Sequence, residues 1–414
     1  MNPSKKGWLQ KYLQQRGQLS SLQEKGNSEH TEKQLYQVLQ PTGIMYGHPL
    51  QHPLDAQLDL DHCDAAGLMK LILTESFLFV VSQNGLGPSK GPKTNSKIGQ
   101  DLNQYYLSLY PKLNNTLKQP GADPLLLTER IINRRLKIQS VDIKSYLTTF
   151  FHNSLLFLDV LYYNRWIKNR GEIDLSIIKK EKQEVRFAVL KVMAAAAQAD
   201  KKLQKEEKAL FRYFMESADL TKSQEREAGK LLRQPPAIED LKLPEIDSWI
   251  LRKYLLEMAI LINWADKEMT NVEKDFLNRL SLKLRFSKEE LENSLLAVEG
   301  FILENYTDIR YLLGKQEFNI IRKRYLRHLK GFVNKNKEYV IQEVQESKEL
   351  VILMNKSRTK PLTPDEKAKV RQQLIDILKT VPTFVIIALP FTFITLPILL
   401  SLLPKSAFPS AFQE

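Results

Sequence analysis

One cysteine, Cys63, stands in 414 residues. No internal disulfide can form, and a reducing compartment suits such a chain. Sustained polar–apolar alternation with β-branched residues is also missing, so no strand is expected and the fold class reads as all-α. Acidic side chains are in deficit. The 61 Lys and Arg against 48 Asp and Glu leave a formal charge of +13, which favours a polyanionic partner such as membrane lipid, RNA or an acidic protein. The opening Met1-Asn-Pro-Ser-Lys-Lys-Gly-Trp has charge without an apolar run behind it, so no secretory signal is expected and the bulk of the chain is expected in the cytoplasm. No nucleophile motif or catalytic triad pattern occurs. The glycine-rich, basic stretch from Asn84 to Lys93 lacks the spacing and the Lys-Ser/Thr ending of a phosphate-binding loop and reads as a linker. The expectation is therefore a protein that is not an enzyme and has no cofactor other than a divalent cation.

What is present is helical spacing. Residues 1–175 read as a helical region with loops at 41–66 and 84–98. Within it, apolar density runs from Gly67 to Val81, and Leu102, Tyr105, Tyr106, Leu109 and Leu113 keep one helical face. The polar loop carries His48, His52, His62 and Cys63, residue types that can gather zinc. Pro49 and Pro53 deny the helix that would bring the histidines together, and a solvated loop is the expected reading.

The next stretch repeats itself. A shift of 66 positions lays Arg186 on Arg252, Leu190 on Leu256, Ala199-Asp-Lys201 on Ala265-Asp-Lys267 and Glu207-Lys208 on Glu273-Lys274. The two copies read as residues 180–245 and 246–305, each a long apolar helix, a turn, a second helix and a capped third. Thr221-Lys-Ser-Gln224, Thr270-Asn-Val-Glu273 and Ser287-Lys-Glu-Glu290 all have capping-box spacing. The alanine-rich helix, then Ala-Asp, then Glu seven residues beyond the Asp, resembles the TerB-like domain, named for tellurite-resistance proteins. Lys201 and Lys267 stand where that family usually has glycine. Asp200 with Glu207, and Asp266 with Glu273, could converge on a hard cation such as Ca²⁺. The alternative is that Glu273 serves only its capping box.

Residues 310–379 read as basic juxtamembrane helices. Seventeen Lys or Arg face eight Asp or Glu between Arg310 and Lys379. The run Arg322, Lys323, Arg324, Arg327 and Lys330 suits either anionic lipid or RNA phosphates, with an ordinary solvated face as the alternative. Thr363-Pro-Asp-Glu366 opens a further helix. Residues 380–404 then contain no ionisable side chain, enough for about 20 residues to cross a hydrocarbon core of about 30 Å. Pro390 and Pro397 fall inside this expected membrane segment, which begins near Pro382 and closes at Pro404; residues 405–414 form a short tail. Prolines inside it also suit a re-entrant hairpin.

Val381-Pro near the start, Pro390-Phe391 in the middle, Leu396-Pro397 and the closing Pro409-Ser-Ala-Phe412 resemble the membrane segment of the LETM family. That resemblance implies a membrane protein linked to cation/proton exchange and to ribosome binding. The family typically has a glutamate where Phe393 stands, and exchange of protons through lipid calls for an ionisable group there. Tandem TerB-like units with a LETM-type tail resemble a bacterial group labelled LETM-related and biofilm-associated. The function expected is a membrane-anchored binding or assembly protein, with a lipid membrane, a partner protein and a ribosome or RNA as partners and oligomerisation open. The alternative is a subunit of a cation/proton transporter.

Overall fold

The computed structural model describes residues 2–18, 32–54, 58, 60, 63–84, 92–110, 123–136, 143–169, 172–197, 199, 205–243, 247–263, 270–305, 315–357, 360–380 and 396–404. Among them the regular structure is helical, with no strand. The chain forms two compact units, Met1–Asn263 and Trp264–Glu414.

The first unit contains α1 (Trp8–Arg16), α2 (Glu32–Leu39), α3 (Ala65–Gln83), α4 (Pro92–Leu109), α5 (Pro124–Arg135), α6 (Ile143–Ser154), α7 (Leu156–Lys168), α8 (Leu175–Ala196), α9 (Lys205–Ser217), α10 (Lys222–Leu231) and α11 (Trp249–Asn263). Its centre is α3, capped by Asp64, whose carboxylate accepts the Gly67 N–H at 2.7 Å. Apolar residues fall on all sides of this helix, as suits one that is largely enclosed. Among the described residues it is the one helix long and apolar enough to cross a membrane, and 78% of that stretch is buried inside the unit. It packs on α7 and α2.

Two expected loops take other forms. Residues 41–46, expected in a polar loop, make two short 3₁₀ turns, Gln40–Thr42 and Ile44–Tyr46, with Ile44, Met45 and Tyr46 fully buried. Gly43 and Gly47, both at φ +78°, turn the chain tightly enough to keep those apolar side chains inside. In the second expected loop, α4 already begins at Pro92, where a missing amide costs nothing in a first turn.

Buried carboxylates bind the helices of this unit together. Glu257 on α11 accepts hydrogen bonds from the Tyr36 and Tyr46 hydroxyls, the latter at 2.8 Å. Glu129 on α5 accepts the Gly7 and Leu9 N–H groups at 3.0 and 2.8 Å, so it caps α1 from another element. Asp159 on α7 is fully buried and receives Arg135 from α5 and Lys182 from α8.

The second unit contains α12 (Asn271–Lys283), α13 (Lys288–Glu304), α14 (Lys315–Lys335), α15 (Lys337–Glu346), α16 (Lys348–Lys356), α17 (Pro364–Thr380) and α18 (Leu396–Leu402). Capping boxes open α10, α12 and α13, at Thr221/Gln224, Thr270/Glu273 and Ser287/Glu290. The same pair of bonds opens α17, where Thr363 N–H donates to Glu366 Oε2 at 3.0 Å and Glu366 N–H donates to Thr363 Oγ1 at 3.3 Å. The first helices of the two sequence repeats, α8 and α11, pack against each other in the first unit, while α12 and α13 belong to the second.

Candidate functional site

The candidate site lies in the second unit, on α14 and the helices packed against it. Ile321, Tyr325, Leu329, Phe332 and Val333 form the buried stripe of α14. This is the three-to-four residue spacing that an amphipathic helix needs to cover a core. Lys323, Arg327 and Lys330 are exposed, and their spacing puts them in one row along the opposite side. Arg324 does not join them. It turns inward and pairs with Glu299 of α13, Nε to Oε1 at 3.0 Å, with the carboxylate fully buried. His328 Nδ1 stands 3.4 Å from the other oxygen of Glu299. Arg324 therefore fastens α14 to α13, a correction to its place in the expected surface run, and Arg322 is half-buried.

Other members of the basic region hold the unit together. Lys335 pairs with Glu292 at 2.7 Å, Lys356 with Glu366, and Lys369 with Glu349, the last two joining α16 to α17. Such exposed pairs are screened by water and contribute little. Among the described side chains of α14, Lys323, Arg327 and Lys330 make the exposed basic row.

Against α14 and α17 packs α18, with Leu399, Leu402 and Leu403 buried. Of the expected membrane segment 380–404, residues 381–395 lie outside the described residues, and 396–403 lie in the second unit with these three leucines covered by protein. Pro397 is the second residue of α18. Pro404 follows the helix, half-buried. Pro382, Pro390 and Phe391 lie outside the described residues.

With this geometry in place the tail has a match. Residues 362–414 match the family described as LETM1-like, RBD. No curated protein and no solved structure matches the chain. The LETM1-like match begins at Leu362, one residue before the Thr363 cap, so it takes in α17 and α18 together with the apolar stretch between them. It covers the two helices that pack on α14, through α15 and α16 in the case of α17.

Of the other expected ligand residues, Asp200, Asp266 and His62 lie outside the described residues. Glu207, expected to pair with Asp200, is buried in the first turn of α9, and Glu273, expected to pair with Asp266, is buried in the first turn of α12. Glu273 closes the capping box with Thr270. Among the described residues, no group of three or more His, Cys, Asp or Glu side chains is placed to share a metal ion.

His52 is not the solvated loop residue expected. It is 1% exposed, and its Nδ1 accepts the Leu54 N–H at 3.1 Å. The proton of the neutral ring therefore sits on Nε2, 3.0 Å from Tyr12 Oη. Tyr12 in turn donates to Glu75 Oε2 at 2.6 Å, and Arg16 Nε donates to Glu75 Oε1 at 2.8 Å. Burial, with the Arg16 charge behind it, pushes the ring down to about 4, partly opposed by the Leu71 backbone. Unfolded chains bind the proton near the ordinary value of 6.5, so stability falls as pH drops from 6.5 towards 4, by up to about 3 kcal/mol. Burial raises the neighbouring Glu75 and works in the opposite direction, so the comparison needs a variant. Urea titrations across that range should give a steeper loss for the native chain than for His52→Gln. Equal slopes would show that the ring accepts its proton in place.

Proposed function

We propose that the chain is a non-enzymatic, membrane-associated adaptor that holds a ribosome through its second unit. The observation that carries this reading is the LETM1-like, RBD match over 362–414, whose helices pack with α14 in one unit. We take RBD to denote a ribosome-binding domain. The Lys323–Arg327–Lys330 row of α14 supplies phosphate contacts in register along one face, and a ribosome presents RNA phosphates at high density. Lipid headgroups could meet the same charges, but the family match favours RNA.

Membrane attachment belongs to the stretch before α18. Residues 381–395 have no ionisable side chain, and fifteen residues at about 1.5 Å each fall short of a hydrocarbon core of about 30 Å. Shallow or re-entrant insertion, with both flanks on the cytoplasmic side, fits that length better than a full span. A transporter role is disfavoured because a proton path through lipid needs an ionisable group there, and Phe393 occupies the family's glutamate position. The TerB-like pattern of 180–305 supports a protein-binding or cation-binding role for those helices, and with it the biofilm association.

Co-sedimentation with purified ribosomes tests the reading. Binding should weaken steeply between about 50 and 200 mM salt. Changing Lys323, Arg327 and Lys330 together to Glu should weaken it by at least about tenfold and reduce the salt slope by about three. All three are exposed, so helical content should not change. If the triple variant pellets with ribosomes as the native chain does, but no longer floats with anionic vesicles, the face binds lipid and the ribosome reading is wrong.

A further inference from the structure

In the first unit a cavity of about 290 Å³ opens between Tyr110, at the end of α4, α8, and the turn at Asp219–Leu220. Lys179, Lys182 and Arg186 line it from α8, at positions that share one helical face. Such a row of like charges destabilises a helix unless something opposes it.

The charges around the cavity do not balance. Asp159, fully buried, is the one carboxylate shared by two buried cations, Arg135 and Lys182. Tyr110 ties them, donating to Asp159 Oδ1 at 3.0 Å and accepting from Lys182 Nζ at 3.1 Å. Arg186 is also buried, its side chain 6% exposed, and its Nη1 lies 3.6 Å from Asp219 Oδ2. That carboxylate is 79% exposed, so most of its charge is spent on water. Arg186 Nη1 donates to the Ala218 carbonyl at 3.3 Å, while Nε is buried with no hydrogen-bond partner among the described residues. A buried guanidinium with an idle donor leaves a desolvation cost uncompensated. Of the residues that line the cavity, Lys179, Lys182 and Arg186 meet one carboxylate, Asp219, while Asp159 behind Lys182 is already shared with Arg135, an excess of two positive charges.

We propose that this cavity binds the phosphate of a small phosphomonoester. A phosphomonoester carries a charge of about −1.5 to −2 at pH 7 and several acceptor oxygens, which matches the excess charge at the wall. A phosphodiester, with one charge, matches less well. Asp219 acts as the internal competitor: it holds Arg186 while the site is empty and yields to the ligand. Its backbone, at φ +52°, puts it in the left-handed region, which keeps the carboxylate over the guanidinium at a conformational cost.

Isothermal titration of the full chain with inorganic phosphate and with glycerol 3-phosphate, at constant ionic strength, tests this. Both should bind, and dimethyl phosphate should bind at least about tenfold more weakly. Lys179 is exposed and outside the buried cluster, so Lys179→Glu should weaken binding about tenfold without lowering the melting temperature. Asp219→Asn should move the other way, tightening binding by several-fold, because it removes the competing charge and asparagine tolerates the left-handed region. The proposal is overturned if phosphate gives no heat beyond a chloride control, if the diester binds equally well, or if neither variant changes the affinity.

Discussion

Asp159→Asn is expected to cost the first unit about 3–5 kcal/mol, because it leaves the buried Arg135 and Lys182 charges without a counter-ion. The geometry is specific. Arg135 Nε and Nη2 both donate to Oδ2, at 2.9 and 2.7 Å, Lys182 donates to Oδ1, and the Tyr106 and Tyr110 hydroxyls complete the shell at 3.2 and 3.0 Å. Burial by itself would raise this carboxyl; the Arg135 and Lys182 charges outweigh it and hold it well below the usual carboxylate range. Its contribution is therefore complete above pH 3.8, the ordinary aspartate value, and is lost as pH falls below that. Asparagine keeps the shape and removes the charge. Guanidinium denaturation at neutral pH measures the loss. Combining Asp159→Asn with Lys182→Met should cost less than the sum of the single changes, by more than about 1 kcal/mol, since the second removes one of the stranded charges. A loss under about 1 kcal/mol for Asp159→Asn would mean that water reaches the cluster.

Gly47→Ala is expected to cost about 3 kcal/mol or more. At φ +78° an added Cβ carries a left-handed penalty of about 1–2 kcal/mol. It would also lie 1.9 Å from the Phe150 carbonyl oxygen and 2.6 Å from the Ser154 nitrogen, both backbone atoms of α6. Neither can rotate away, so α6 must shift, and overpacking of this kind adds about 1–3 kcal/mol. For a unit of this size the melting temperature should fall by roughly 6–12 °C. Gly229→Ala is the control of opposite sign. It lies in α10 with nothing within 4 Å of the new Cβ, so alanine should stabilise by about 0.5–1 kcal/mol. If both glycines respond alike, backbone flexibility rather than close approach governs the turn.

These two positions show where sequence reading stops. Gly47 sits in a stretch of histidines and prolines that reads as a solvated loop. What makes it a buried corner is α6, about a hundred residues further along the chain. The same holds for the basic run of α14. Arg322, Lys323, Arg324, Arg327 and Lys330 are alike as residue types. Arg324 leaves the set because Glu299 stands buried on α13, and no local pattern marks that glutamate as its partner. The cavity beside Arg186 gathers Tyr110, Lys182 and Asp219 from three separate stretches and has no sequence motif.

What the sequence by itself determined was local. The lack of alternation excluded strands, and the hydroxyl-to-Glu/Gln spacing placed the starts of α10, α12, α13 and α17, because a cap is a bond between residues three apart. The charge-free stretch at 380–404 and the LETM-type residues within it were legible for the same reason, being contiguous. Only the tertiary structure decided which partner each helix covers. The repeat at an offset of 66 positions could not say that its two first helices, α8 and α11, pack on each other, nor that the unit boundary falls at Asn263, inside the second copy. Nor could it say that Leu399 and Leu402 take shelter beside α14 and α17. Apolar burial is non-directional and almost indifferent to sequence distance, so it selects among many partners that a local pattern permits equally.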